Sequence, residues 1–231
     1  MCCVTMKRPR FDSDDESSSG DSFGTCTSRK KIRCIMSELP ERMHKQPLDQ
    51  ERRPDDTLQS LTSAGVPYYA FDSQSLAGFF YPPTAKEIKA YDHTVLNAVR
   101  QQDYGTLRAL YSQGRPLKCS NAFGESLLHL ACRKGMYQMT RFLVDECHVP
   151  LRICDDFGRT PLADACWTAE PNFDLIDFIL EREPDLLFIK DRRGSTPLGY
   201  VRRPQWKLWN QYLQSKSNHQ GFFQPRVVLS K

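Results

Sequence analysis

No stretch of this 231-residue chain approaches about 18 uninterrupted apolar residues, and Met1-Cys2-Cys3-Val4 runs into Lys7-Arg8-Pro9-Arg10 with no apolar segment between. A membrane span and a secretory signal are therefore not expected. The nine cysteines include no Cys-x-x-Cys pair and their count is odd, so the usual spacings of a zinc site and of a disulfide framework are both missing. Reduced thiols, some acting as small core residues, are expected instead. A strong excess of one charge is also lacking: 32 Lys and Arg against 28 Asp and Glu leave +4, too mild to imply nucleic-acid or membrane binding. Apolar residues are few, at 39% with a mean hydropathy of −0.57, which predicts that part of the chain does not fold.

That polarity sits in residues 1–60. They hold the acidic-serine run from Asp12 to Ser22, scattered basic clusters, and no helical or strand periodicity lasting two turns. Their charges balance at 11 basic and 11 acidic, so too little apolar surface to offset ordering entropy predicts a disordered tail, not charge repulsion. Residues 61–83 differ: Tyr68, Tyr69, Phe71, Phe79, Phe80 and Tyr81 fall within fourteen residues, closed by Pro82-Pro83. Such a segment is expected to lie on the hydrophobic face of the following domain as a linker or N-terminal cap, or to serve as a linear binding motif. Thr84-Ala85-Lys86-Glu87 has the spacing of a capping box and marks the predicted start of a domain over 84–215, followed by a C-terminal tail at 216–231.

Within that domain the chain repeats itself. Asn121-Ala122-Phe123-Gly124-Glu125-Ser126-Leu127-Leu128-His129-Leu130-Ala131 aligns with the run from Asp155 to Ala165 and again with that from Asp191 to Val201, at spacings of 34 and 36 residues. Met139, Phe142 and Leu143 recur as Leu175, Phe178 and Ile179, then as Trp209, Tyr212 and Leu213, each at i, i+3, i+4. A fainter first unit is readable in Thr94–Val99 with Leu107, Leu110 and Tyr111 behind it.

This pattern resembles the ankyrin repeat, and the resemblance implies an all-α solenoid of about four helix-turn-helix units with finger loops, the first degenerate. Gly124, Gly158 and Gly194 would supply the positive φ of each finger turn. Thr160 and Thr196 would cap the first helix of their units, with Pro161 and Pro197 at its first position. The two ends need covers: the Thr84 helix with the aromatic segment at one, and Trp206, Trp209 and Phe222-Phe223 at the other. The consensus His is present only as His129, which predicts sparser hydrogen bonding between units. Two extra residues lengthen the turn within Trp167–Asn172, beside an aromatic ring suited to a specific contact.

The resemblance further implies partner binding through finger tips and the concave face of the first helices. By position this selects Phe123, Phe157 and Arg193 on the fingers, and Arg133, Trp167 and Arg203 at the ends of the first helices. Arg133, Lys134, Arg159, Arg192, Arg193, Arg202 and Arg203 gather on the predicted concave side. The region from Thr84 to Gln214 is nearly neutral, with 18 basic and 16 acidic residues, so this placement points to an acidic partner surface. No catalytic or metal site and no cofactor is expected: His129 and Cys132 are i, i+3, but repeat position accounts for both, and Cys147, His148 and Cys154 lack a fourth ligand.

In the tail, Lys7, Arg8 and Arg10, and Arg29, Lys30, Lys31 and Arg33, are similar to nuclear-localisation clusters read by importin. Ser13, Ser17, Ser18, Ser19 and Ser22 sit in an acidic context similar to acidophilic-kinase sites, where phosphate would mask the flanking cations. The expectation is a monomeric protein-interaction adaptor in the nucleus rather than the cytoplasm. The alternatives are an inhibitor resembling the IκB class, whose D-S-x-x-x-S spacing is matched by Ser13 and Ser17, and, behind it, a direct DNA binder.

Overall fold

The computed structural model describes residues 52–62, 71–73, 76 and 78–217. The two basic clusters, the tail serines, Tyr68, Tyr69 and Phe222-Phe223 lie outside the described residues.

Helix pairs are stacked in the order anticipated. The first unit pairs α3 (His93–Arg100) with α4 (Tyr104–Ser112); it follows the short helix α2 (Ala85–Ala90). Thr84 caps α2 as a full capping box, its hydroxyl accepting from the Glu87 amide while its own amide donates to the Glu87 carboxylate at 2.7 Å. The second unit is α5 (Leu127–Arg133) and α6 (Tyr137–Arg141), which continues as a π-helical turn over Phe142–Glu146. The third is α7 (Pro161–Cys166) and α8 (Phe173–Arg182). In the fourth, the first helix shrinks to a single 3-10 turn, Pro197–Tyr200, before α9 (Trp206–Ser217). Gly199 inside that turn and Pro204 just beyond it leave no room for a longer helix.

The nine residues read as the inward row of the second helices are all buried, Met139, Leu143, Ile179 and Leu213 completely. First helices pack on first helices, α5 on α7 and α7 on the 3-10 turn at 197–200. Each layer therefore supplies the apolar surface its neighbour lacks.

The fingers close by one repeated device. The side-chain oxygen of the first finger residue accepts two backbone amides: Asn121 from Phe123 and Glu125, Asp155 from Phe157 and Arg159, Asp191 from Arg193 and Ser195, all at 2.8–3.0 Å. Gly124, Gly158 and Gly194 hold φ near +80° at the turn, as anticipated. Successive fingers are laced together, since the amide of Asp156 donates to the Phe123 carbonyl and that of Arg192 to the Phe157 carbonyl, both at 2.8 Å.

Two expectations about caps need correction. Ser126 does cap α5, with His129 completing the box, but the Thr160 hydroxyl is buried without a hydrogen-bond partner. The Thr196 hydroxyl turns away from its own helix and donates to the Asp55 carboxylate. Asp55 belongs to a helix, α1 (Pro54–Thr62), in the segment read as tail. Pro54 at its first position and Asp55 and Asp56 in its first turn are proper start signals, but its inward apolar residues, Leu58 and Leu61, are too few to register as a period.

Helix α1 packs against α9 and the 3-10 turn at 197–200, and Asn210 holds the Arg52 carbonyl at 2.7 Å. It thus occupies the place where a fifth unit would stack, so the C-terminal end of the array is closed by residues from near the N-terminus. The chain then returns along the base of the fingers. Strand β1 (Phe71–Asp72) pairs in parallel with β2 (Ile189–Lys190), with Phe71 opposite Ile189. Further on, Tyr81 donates its amide to the Arg152 carbonyl at 3.0 Å and receives the Lys118 ammonium over its ring, while Phe79 and Phe80 pack on the core. The described part of the aromatic segment is therefore a strap along the array, from its last finger to its first.

Leu58 is the anchor of α1 and is fully buried. Leu58→Ala in the full chain should cost about 2–4 kcal/mol. Urea and thermal unfolding would show this as an earlier transition; an unchanged midpoint would mean that α1 does not close the array.

Candidate interaction surface

The position at the end of the first helix differs between units, being Gln101 in the first and Arg133 in the second. In the third unit it is Trp167, 42% exposed, immediately after α7. The lengthened turn follows, and it is tied down on both sides. Asn172 caps α8 by accepting from the Leu175 amide, and its side-chain amide donates to the Gly135 carbonyl of the second unit at 3.1 Å. From the fourth unit, Gln205 donates to the Ala169 carbonyl at 2.6 Å. The Thr168 hydroxyl closes the turn internally onto the carbonyls of Ala165 and Glu170. The extra residues form a fixed ledge.

Beside the ledge runs an open groove of about 810 Å³ whose walls include Arg133, Lys134, Trp167, Asn172 and Arg202, with Glu170 and Asp174 on the turn and at the start of α8. The Arg202 guanidinium lies 4.6 Å from the centre of the Trp167 ring. Next to it Arg203 lies over Trp206 at 5.9 Å. Such contacts hold a guanidinium flat while its N–H edges stay available.

The basic strip read from sequence is smaller in space. Arg133 bonds both oxygens of Asp164 in the next unit, at 3.2 and 3.0 Å, and reaches Glu125 at 3.3 Å. Burial pulls its pKa down, but the bonds to Asp164 outweigh this and hold it above the ordinary value. Arg159 is tied to Asp155 within its own finger. Both arginines fasten the array, leaving Lys134, Arg192, Arg193, Arg202 and Arg203 exposed.

The finger aromatics are partly buried. Phe157 lies between two guanidinium groups, Arg159 at 5.6 Å and Arg193 at 5.3 Å, which bridges one finger to the next. Phe123 is likewise half-buried. The Phe157 ring thereby stiffens the finger row, whereas Trp167 stands out from the array. The pairing of Arg202 with Trp167 is not among the sequence expectations, and the signal for it is their neighbouring position along the stack.

His129 accepts from the Ser126 amide through Nδ1 at 3.1 Å, which leaves Nε2–H to donate to the Arg159 carbonyl of the next unit at 3.1 Å. Neither ring nitrogen is available to activate Cys132. Burial pushes the thiols of Cys119 and Cys132 up to about 12 and raises that of Cys166 well above its ordinary value. Among the described residues no group of three or more His, Cys, Asp or Glu is placed to hold a metal ion. Among them too, no helix is long and apolar enough to cross a membrane.

With free thiols titrating near 8.5, iodoacetamide at pH 8 should leave Cys119, Cys132 and Cys166 unmodified in the native chain and label all three in urea. Rapid native labelling of Cys132, read by peptide mass spectrometry, would contradict the packing described.

The model of the family described as "Ankyrin repeats (3 copies)" matches residues 95–200. The chain is also 35% identical over 85 residues to "Putative glutaminase 2" of Caenorhabditis elegans, a match that covers 36% of this chain and 14% of that protein.

Proposed function

Residues 95–200 are ankyrin repeats, and from that premise we propose that the chain is a protein-interaction adaptor whose contact surface centres on the Trp167 ledge. Ankyrin repeats in general serve protein–protein interaction. The exposed Trp167, set in a turn braced by the units on either side, carries the choice of surface. An aromatic side chain held rigid and half in solvent loses little freedom on binding and brings a large apolar area to the interface. The finger arginines Arg192 and Arg193 form a second, outlying part of the contact.

The adaptor reading includes no catalysis and no cofactor. In support, both nitrogens of His129 are engaged and the buried thiols are held protonated. The 85-residue similarity to the C. elegans protein is too short a share of that chain to carry an activity across. Nuclear localisation, regulated through the tail, is the companion proposal. It draws on Lys7, Arg8 and Arg10 and on the cluster from Arg29 to Arg33, with the acidic serines between them.

Trp167→Ala in the full chain should abolish affinity capture of the partner while stability falls by no more than about 1–2 kcal/mol, as for a half-covered ring outside the core. Undiminished capture would refute this choice of surface. A second reading, an inhibitor released by tail phosphorylation, is favoured by the spacing of Ser13 and Ser17. It requires that changing both serines to Ala lengthen the protein's half-life in cells; an adaptor without that switch keeps the same half-life.

A further inference from the structure

We propose that the groove beside Trp167 receives an extended acidic segment of a partner protein, with carboxylates at both ends of a short apolar stretch. This rests on the adaptor reading above and adds the chemistry of what is bound.

The argument begins with how the array uses its charges. Between units, cations are repeatedly matched with carboxylates: Arg108 with Glu146, Arg133 with Asp164, Arg182 with Asp145 and Lys216 with Asp177. Along the ledge the rule lapses, since Lys134, Arg202 and Arg203 have no carboxylate within ion-pair distance among the described residues. Two of them are laid on indole rings, so much of the side-chain freedom that binding an anion would cost is already lost. Arg202 therefore offers a positioned guanidinium edge directly above the one exposed indole of the groove.

Spacing defines the segment. Lys134 belongs to the second unit, Trp167 to the third and Arg202 to the fourth. Helices of adjacent layers pack about 8–10 Å apart and the Arg202 guanidinium lies only 4.6 Å from the Trp167 ring centre, so the two outer charges are separated by roughly 13–15 Å. An extended chain advances about 3.3 Å per residue and would place its two acidic groups about four residues apart. The residues between them would cross Trp167, where an apolar side chain is favoured. Glu170 and Asp174, which also line the groove, disfavour a continuous polyanion. Discrete carboxylates on a peptide avoid them, whereas a nucleic-acid backbone would not.

The test uses the full chain and a fluorescein-labelled peptide of about nine residues with two Asp about four positions apart and a Leu-Phe pair between them, beside its Asn counterpart and a duplex DNA of equal length in ångströms. Fluorescence polarisation should show the Asp peptide binding at least about tenfold more tightly than the Asn peptide and more tightly than the duplex. Lys134→Glu with Arg202→Glu should erase that preference without moving the unfolding midpoint. Equal binding of the two peptides, tighter binding of the duplex, or a preference that survives the double substitution would overturn the inference. Partner capture that needs Trp167 but is indifferent to Lys134 and Arg202 would overturn it too, while sparing the adaptor reading; capture indifferent to Trp167 would remove that reading itself.

Discussion

An ankyrin unit cannot bury its own apolar face, and everything else in this fold follows from that constraint. Two short helices and a finger expose a row such as Leu175, Phe178 and Ile179 that only the neighbouring layers can cover. The terminal layers must then be closed by something that is not a repeat. Here α1 closes the last layer, held by Leu58 in the core, by the Thr196 hydroxyl on Asp55 and by Asn210 on the Arg52 carbonyl. Because α1 precedes the array in sequence, the chain must run back the full length of the stack. The strap through Phe71, Phe79 and Tyr81 is the consequence, and it ties the last finger to the first.

The array was legible in sequence because its devices are local and recur. Gly124, Gly158 and Gly194 mark the same turn three times, and the i, i+3, i+4 rows of the second helices repeat in phase. The closure was not legible, because Leu58 and Leu61 make sense only against α9, nearly 150 residues away, and a nine-residue helix carries too few apolar positions to announce itself. The fate of Thr196 was hidden for the same reason: its partner Asp55 is remote in sequence. The basic strip was legible in composition and overestimated in effect. Which arginines are consumed by the fold depends on carboxylates one layer away, as Arg133 is by Asp164.

The same accounting sets the ledge apart. The array spends lateral hydrogen bonds, ion pairs and arginine–aromatic contacts on holding one layer to the next. The Phe157 ring between Arg159 and Arg193, and His129 between Ser126 and Arg159, belong to that work. The two-residue lengthening of the third unit instead adds a turn that no layer needs for its own burial. It is nevertheless braced from both neighbours, through Asn172 on Gly135 and Gln205 on Ala169, and it presents Trp167 to solvent. Rigidity without a burial role is what makes this turn the candidate contact.

The central claim is that the turn from Trp167 to Asn172 is held rigid before any partner arrives. Backbone 15N relaxation of the free full-length chain measures this most directly. The account predicts order parameters for Thr168, Ala169, Glu170 and Asn172 close to those of α7 and α8, about 0.85. Values below about 0.6 across the turn, with α7 and α8 still rigid, would contradict it.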